Sequence, residues 1–205
     1  MTRLLLVRHG DTDFNQHRRF MGYSDIELSP LGIQQVEKLQ LYLAGEKIQA
    51  VFASDLQRTM KTAAVLTAGR NLIVTPCPEL RETNYGECEG LSFGEIDEKY
   101  PEVAAKCVNF SLDLDFPGGE DFRTFITRTR TFLKRLKNQP PENTVLIVSH
   151  NGPLKVLICH FLGLQMKYWH RLNLDIASLS IVRYNPPNAV LTRLNDTSYL
   201  RELKK

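Results

Sequence analysis

Two apolar runs that each end in a histidine stand out in the pattern of this chain. Leu4-Leu5-Leu6-Val7 leads into Arg8-His9-Gly10, and Val145-Leu146-Ile147-Val148 leads into Ser149-His150-Asn151. Runs this short, rich in branched apolar residues and closed by polar or glycine-containing turns, are what strands buried on both faces of a parallel sheet require. Gln49-Ala50-Val51-Phe52-Ala53-Ser54 predicts another strand, and residues 73–75 a short one. Between these strands the apolar period lengthens to that of a helix. Ser29-Pro30 supplies an N-cap and a first helical position; Leu31, Ile33, Val36, Leu39 and Leu43 supply a buried face, and Gly45 a stop. Asp55 or Ser54 is placed to cap a second helix over 56–66, with Arg58 in its first turn.

Further along, acids and glycines crowd a loop over 76–94. Helices are predicted over 93–107 and 121–137, the second ended by Pro140-Pro141. A helix over 153–162 follows the His150 turn, and residues 178–184 and 190–194 read as two strands around Pro186-Pro187-Asn188. Strands alternating with helices predict an α/β fold: a three-layer sandwich with a mostly parallel central sheet flanked by helices. With no repeat, low-complexity stretch or long linker, residues 1–205 are expected to form one domain.

Composition narrows the function classes. Twenty-six Lys and Arg against 23 Asp and Glu leave a net charge of only +3, too little for a nucleic-acid partner, and the basic residues are scattered apart from Arg18-Arg19 and the Lys204-Lys205 end. No stretch approaches the ~18 apolar residues of a membrane span, and only four apolar residues separate Arg3 from Arg8, too few for a signal peptide. Cys77, Cys88, Cys107 and Cys159 form no C-x-x-C pair. Reduced thiols and a cytoplasmic location are expected.

In open α/β sheets ligands bind beyond the carboxyl ends of the strands, so the two histidines are expected to share one pocket. Arg8 adds a planar fork for phosphate oxygens, Gly10 close backbone approach, and Asn15 a further donor. Arg58 lies near a helix N-terminus, where anions are favoured, although its local surroundings fit a surface arginine equally well. Among the acids of Glu79-Leu80-Arg81-Glu82-Thr83-Asn84-Tyr85-Gly86-Glu87-Cys88-Glu89-Gly90, local sequence does not single out a proton donor. Asn151 and Gly152 after His150 suit oxyanion binding. His160 and His170 sit in apolar or aromatic surroundings and read as core or rim, and His17 carries no signal of its own. No histidine pair has i, i+4 spacing, so no metal is expected.

Taken together, these residues resemble the histidine phosphatase superfamily, in its phosphoglycerate-mutase-like branch. Arg8-His9-Gly10-Asp11-Thr12 followed by Asn15, Ser54-Asp55-Leu56-Gln57-Arg58-Thr59, Glu79-Leu80-Arg81-Glu82 with Gly86, Glu89 and Gly90, and Ser149-His150 match its motifs in order. The resemblance implies His9 as the nucleophile that becomes phosphohistidine. It implies Arg8, Arg58, His150 and Asn15 as groups that bind the transferring phosphoryl, and Glu82 as the proton donor. It implies no cofactor and a small phosphate monoester as the partner. One departure is Asn151 where the family commonly has Gly; an altered pocket shape rather than lost catalysis is expected, with the Asn151 N–H still available to the ligand.

The family's mutases carry a long insertion after the acid loop that keeps water from the phosphohistidine. Here Glu89-Gly90-Leu91-Ser92-Phe93 runs directly into a short helix, which favours a phosphatase. Gly90-Leu91-Ser92-Phe93-Gly94-Glu95-Ile96, Pro117-Gly118-Gly119-Glu120 and Asn195-Asp196-Thr197-Ser198-Tyr199-Leu200 resemble bacterial α-ribazole phosphatases of cobalamin biosynthesis. Broad-specificity and phosphosugar phosphatases share much of the same pattern; a mutase or a catalytically silent binder are the readings of another class. Tyr85, Phe93 and Phe116 are candidates to stack on an aromatic leaving group. Exposed sheet edges would let two copies pair into a homodimer.

Overall fold

The computed structural model describes residues 1–204. Six strands form one sheet: β1 (Thr2–Arg8), β2 (Ile48–Ala53), β3 (Val74–Pro76), β4 (Thr144–Ser149), β5 (Leu179–Asn185) and β6 (Asn188–Asp196), in the order β3-β2-β4-β1-β5-β6. The first four run parallel, and β5 and β6 add an antiparallel edge. The helices are α1 (Asp13–Gln16), α2 (Pro30–Tyr42), α3 (Gln57–Thr67), α4 (Phe93–Lys99), α5 (Pro101–Val108), α6 (Phe122–Thr131), α7 (Leu133–Lys137) and α8 (Asn151–Phe161). Among the described residues, no helix is long and apolar enough to cross a membrane.

The period-two geometry of the central strands explains why their apolar runs are unbroken. Leu5, Val7, Val51, Leu146 and Val148 pack on one face, against Val36 and Leu39 of α2 and Ala63 and Leu66 of α3. Leu4, Leu6, Phe52, Val145 and Ile147 pack on the other, against Leu136 of α7 and Leu154, Leu157 and Ile158 of α8. Both faces of the middle of such a strand meet a helix layer, so its central positions are apolar and polar residues are left to its ends. A third apolar cluster, with Ile96, Val103, Phe116, Phe122 and Phe125, joins α4, α5 and α6 to Val156 of α8.

Three predicted helices differ in detail, each for a local reason. The helix expected over 93–107 is two helices, because Tyr100 leaves helical geometry (φ −137°, ψ 62°) before Pro101, which opens α5. The helix expected over 121–137 bends at Phe132, whose N–H bonds to the Thr129 carbonyl three residues back. Nearby, the Thr129 and Thr131 hydroxyls donate to the Phe125 and Arg128 carbonyls, a competition that bends helices. Neither Asp55 nor Ser54 caps α3; Leu56 takes that position, and the Gln57 N–H donates instead to Asp25 Oδ1 at 2.7 Å. Asp55 forms a bidentate ion pair with Arg81 (2.7 and 2.6 Å), and Ser54 turns toward His150.

Ser29 caps α2 as expected, and its hydroxyl donates to Asp11 Oδ2 at 2.7 Å. The helix thereby docks on the turn after β1. A Cβ on Gly32 would stand 2.1 Å from the Asp11 carbonyl oxygen, and one on Gly10 would stand 2.6 Å from the Gly32 carbonyl oxygen. Both blocking atoms are backbone, so neither can rotate away. Gly32→Ala is expected to destabilise the fold by about 1–3 kcal/mol, the usual cost of overpacking. Urea unfolding checks this; an unchanged midpoint would show that α2 slides off the turn freely.

Candidate active site

The sheet register delivers the two histidines together. Arg8 of β1 pairs with Ser149 of β4, so His9 and His150 leave neighbouring strands at the same level, and the His9 N–H donates to the Ser149 carbonyl at 3.0 Å. Their ring centroids are 5.1 Å apart, the planes inclined at 62°. Both rings are buried, His150 completely. Burial first, then the charges of Arg58 and Arg8, hold the His9 imidazole well below its ordinary pKa; the same causes, with His9 itself, depress His150.

Neutral rings have definite tautomers, and the partners identify them. His9 Nδ1 lies 2.7 Å from the Gly10 carbonyl, which can only accept, so Nδ1 carries the proton and Nε2 keeps its lone pair. Arg58 Nε–H donates to His150 Nδ1 at 3.2 Å, so the His150 proton resides on Nε2, 2.9 Å from Ser54 Oγ.

Arg58 is fully buried, and burial pushes its pKa down to about 10 against the opposing charges of Glu82, Glu89 and Asp25. Its Nη1 donates to the Ser24 carbonyl (2.8 Å) and its Nη2 to the Gly22 carbonyl (2.7 Å). That loop is held in turn by Glu89, whose carboxylate accepts the N–H groups of Gly22, Tyr23, Ser24 and Tyr85 and the Ser24 hydroxyl, at 2.6–3.1 Å.

Glu82 is buried, with Oε2 accepting the Gly152 N–H at 3.1 Å and Oε1 the Thr83 N–H at 3.0 Å. A Cβ at Gly152 would lie 2.3 Å from Glu82 Oε1, so the carboxylate's close approach to α8 depends on that glycine. Arg128 of α6 straps the acid loop by donating to the carbonyls of Glu79, Arg81 and Glu82. Arg8 donates from Nη1 to the Leu174 carbonyl at 2.6 Å, and its Nε is buried without a partner. A cavity of about 270 Å³ opens over this group, bordered by Arg8, His9, Asn15, Glu82 and Asn151 together with Arg18, Arg19, Phe20, Met21 and Tyr85. A bare imidazole nitrogen, arginines and a carboxyl around one cavity suit capture of a dianion by nucleophilic attack.

A family model described as histidine phosphatase superfamily (branch 1) matches residues 4–197. The chain belongs to that superfamily. It is 31% identical over 202 residues to phosphoserine phosphatase 1 of Hydrogenobacter thermophilus, covering 98% of this chain and 96% of that one. It is 30% identical over 194 residues to adenosylcobalamin/alpha-ribazole phosphatase of Escherichia coli, covering 94% and 95%. Its structure resembles that of the alpha-ribazole phosphatase from Shigella flexneri with a TM-score of 0.89 at 29% identity, over 95% and 96% of the two chains.

In this histidine phosphatase Arg8, His9, Asn15, Glu82 and Asn151 border one cavity, and Arg58 and His150 lie behind His9 instead of on the cavity surface. Gly10 differs from expectation. Its N–H is directed to the Thr62 hydroxyl (3.3 Å) and its missing side chain makes room for α2, so it shapes the turn rather than offering an anion donor. α8 begins at Asn151, two residues earlier than expected, with His150 as its N-cap residue. Phe93 stands exposed at the start of α4, away from the cavities that Tyr85 and Phe116 border. His17 and His160 are exposed, and His170 stacks on Phe110.

Sequence reasoning gave no place in the site to Glu89, Arg128 or the pair Arg18-Arg19. Arg18 and Arg19 resemble a solvated basic pair, yet they lie within four residues of Asn15, close enough to border the same loop. Glu89 had a usable signal in its place between Gly86 and Gly90. Arg128 had none, since it shares a helix with Arg123 and Arg130.

The two neutral histidines carry a pH signature. Below about pH 6.5 an unfolded imidazole takes up a proton that the folded one refuses, so stability is fully present above that pH and falls as the pH drops through it. Each histidine should remove about 1.4 kcal/mol between pH 7.5 and 5.5. Urea unfolding at the two pH values is expected to show a smaller acid loss, by about that amount, in His9→Asn. An equal loss in variant and wild type would contradict the neutral assignment.

Proposed function

We propose that this chain hydrolyses phosphate monoesters through a phosphohistidine on His9, without a metal. The observation that carries the reading is the His9 tautomer: Nδ1–H is engaged by Gly10, so the Nε2 lone pair is free beside Arg8 and Glu82. Nε2 attacks phosphorus as the ester P–O bond breaks. Glu82, loaded as the acid, passes its proton to the leaving oxygen. Its carboxylate then takes a proton from water as the water oxygen attacks phosphorus and the N–P bond breaks, returning His9 and releasing inorganic phosphate.

Arg8 and Asn15 contact the phosphoryl oxygens directly. Arg58 and His150 act from beneath: the incoming dianion counters the positive field that keeps His150 neutral, and the Arg58–His150 bond opens toward it. Most of the acceleration then comes from charge held in place before the reaction.

For the leaving group, α-ribazole 5′-phosphate is the favoured substrate. The aromatic walls that Tyr85 and Phe116 contribute beside the cavity support it, as do the Escherichia coli and Shigella flexneri relatives. Phosphoserine is the second reading, supported by the near full-length likeness to the Hydrogenobacter enzyme.

The deciding assay is phosphate release in EDTA from α-ribazole 5′-phosphate, phosphoserine, a sugar phosphate and p-nitrophenyl phosphate. Wild type is expected to release phosphate, His9→Ala none. Glu82→Gln should lose about 10²-fold in kcat on the alkyl esters and far less on p-nitrophenyl phosphate, whose leaving group needs no proton. Full activity in His9→Ala would overturn the phosphohistidine route.

A further inference from the structure

A second chamber of about 230 Å³ adjoins the His9 cavity, and Phe20, Tyr85 and Asn151 border both. Its walls are aromatic: Phe116, Phe122 and Trp169 join Phe20 and Tyr85, with neighbouring ring centroids 4.9 to 6.5 Å apart. Flat apolar surfaces arranged in this way accept a flat apolar body.

Three polar groups on those walls have no hydrogen-bond partner among the described residues. Lys155 Nζ lies 5.4 Å from the Trp169 ring centroid and makes no hydrogen bond or ion pair among the described residues. Trp169 Nε1 and Asn151 Oδ1 are buried and unpartnered. Buried polar groups nearly always have partners, so two unmatched ones beside an unpaired, half-buried lysine around a single chamber call for an explanation. Lys155 is also held below its ordinary pKa, chiefly by burial and further by the charge of Arg8, against the opposing charges of Glu82 and Cys159.

The donor inventory indicates what would match them. A lysine ammonium and an indole N–H only donate, so the ligand must present an acceptor at that corner. Asn151 Oδ1 only accepts and sits where the two cavities meet, which suits a hydroxyl between the phosphate and the flat body. Resting on the phosphatase reading above, we propose that this chamber is the leaving-group subsite and that Lys155 and Trp169 select phosphate esters whose flat, apolar leaving group presents a hydrogen-bond acceptor. A neutral ring nitrogen and a carboxylate both offer that chemistry, and the test separates them.

Three esters of the same outline serve as probes: phenyl phosphate, pyridin-3-yl phosphate and 3-carboxyphenyl phosphate. Wild type, Lys155→Met and Trp169→Phe are compared by kcat/KM, each ester relative to phenyl phosphate, so that intrinsic leaving ability cancels between proteins. In wild type at least one acceptor-bearing ester should have a relative kcat/KM about tenfold above its value in either variant, the change residing in KM. The ester that loses its advantage identifies the acceptor as nitrogen or carboxylate. Equal relative values in all three proteins would overturn the proposal.

If wild type hydrolyses none of the esters, the phosphatase reading fails while the subsite remains testable. NMR titration with phenol, 3-hydroxypyridine and 3-hydroxybenzoate then decides it. Tighter binding of an acceptor-bearing alcohol that is lost in Lys155→Met supports the subsite, and equal affinity for all three alcohols overturns it.

Discussion

Because β1 and β4 run parallel with Arg8 opposite Ser149, the two histidines leave the sheet side by side, and the rest of the site is arranged around that coincidence. A shift of one residue would turn one imidazole into a helix layer and the other away from it. The register is enforced from both faces by the unbroken apolar runs Leu4–Val7 and Val145–Val148 at the centre of the two strands. The helices therefore do two jobs: they cover the sheet and they prevent its strands from sliding.

The second constraint is electrostatic. A fully buried arginine, Arg58, and a half-buried one, Arg8, stand next to two imidazoles, a concentration of positive charge that a protein tolerates only with compensation. Compensation comes partly from backbone: the carbonyls of Gly22 and Ser24 on Arg58, and that of Leu174 on Arg8. It also comes from Glu82 and Glu89, which are themselves held by N–H groups. The imidazoles respond by staying neutral, and for His9 the neutral form is the nucleophile. The charge arrangement that would bind a dianion thus also prepares the atom that would attack it.

Much of this was legible in the chain. The strands were readable because burial on both faces leaves an unbroken apolar run, and His9 and His150 because such runs deliver them to one sheet edge. The breaks at Tyr100 and Phe132 were harder. Pro101 advertises the first, but the second arises from threonine hydroxyls that look innocuous in a helical pattern. Arg58 was visible as an arginine in a first turn, yet its complete burial follows from a loop more than thirty residues away, which no local pattern encodes. Gly10 was misread for a related reason: the body that needs its missing side chain is α2, not a ligand. Arg128 reaches the acid loop across some fifty residues and resembles any other cation on its helix.

Glu89 ties two distant stretches of chain into one unit. It gathers N–H groups from residues 22–24, whose carbonyls face Arg58, and from Tyr85 in its own turn. Neither stretch would keep its shape if exchanged without the other. In a lineage of such proteins the two segments are therefore bound to drift as a pair, and a hybrid joining one parent's first loop to another's second would be mismatched beneath its own arginine. The walls of the neighbouring aromatic chamber come largely from other segments, from Cys107 to Phe122 and from Lys155 and Trp169, so they can vary without disturbing that pairing. The fold thus separates a part that must be inherited whole from a part that is free to be rewritten.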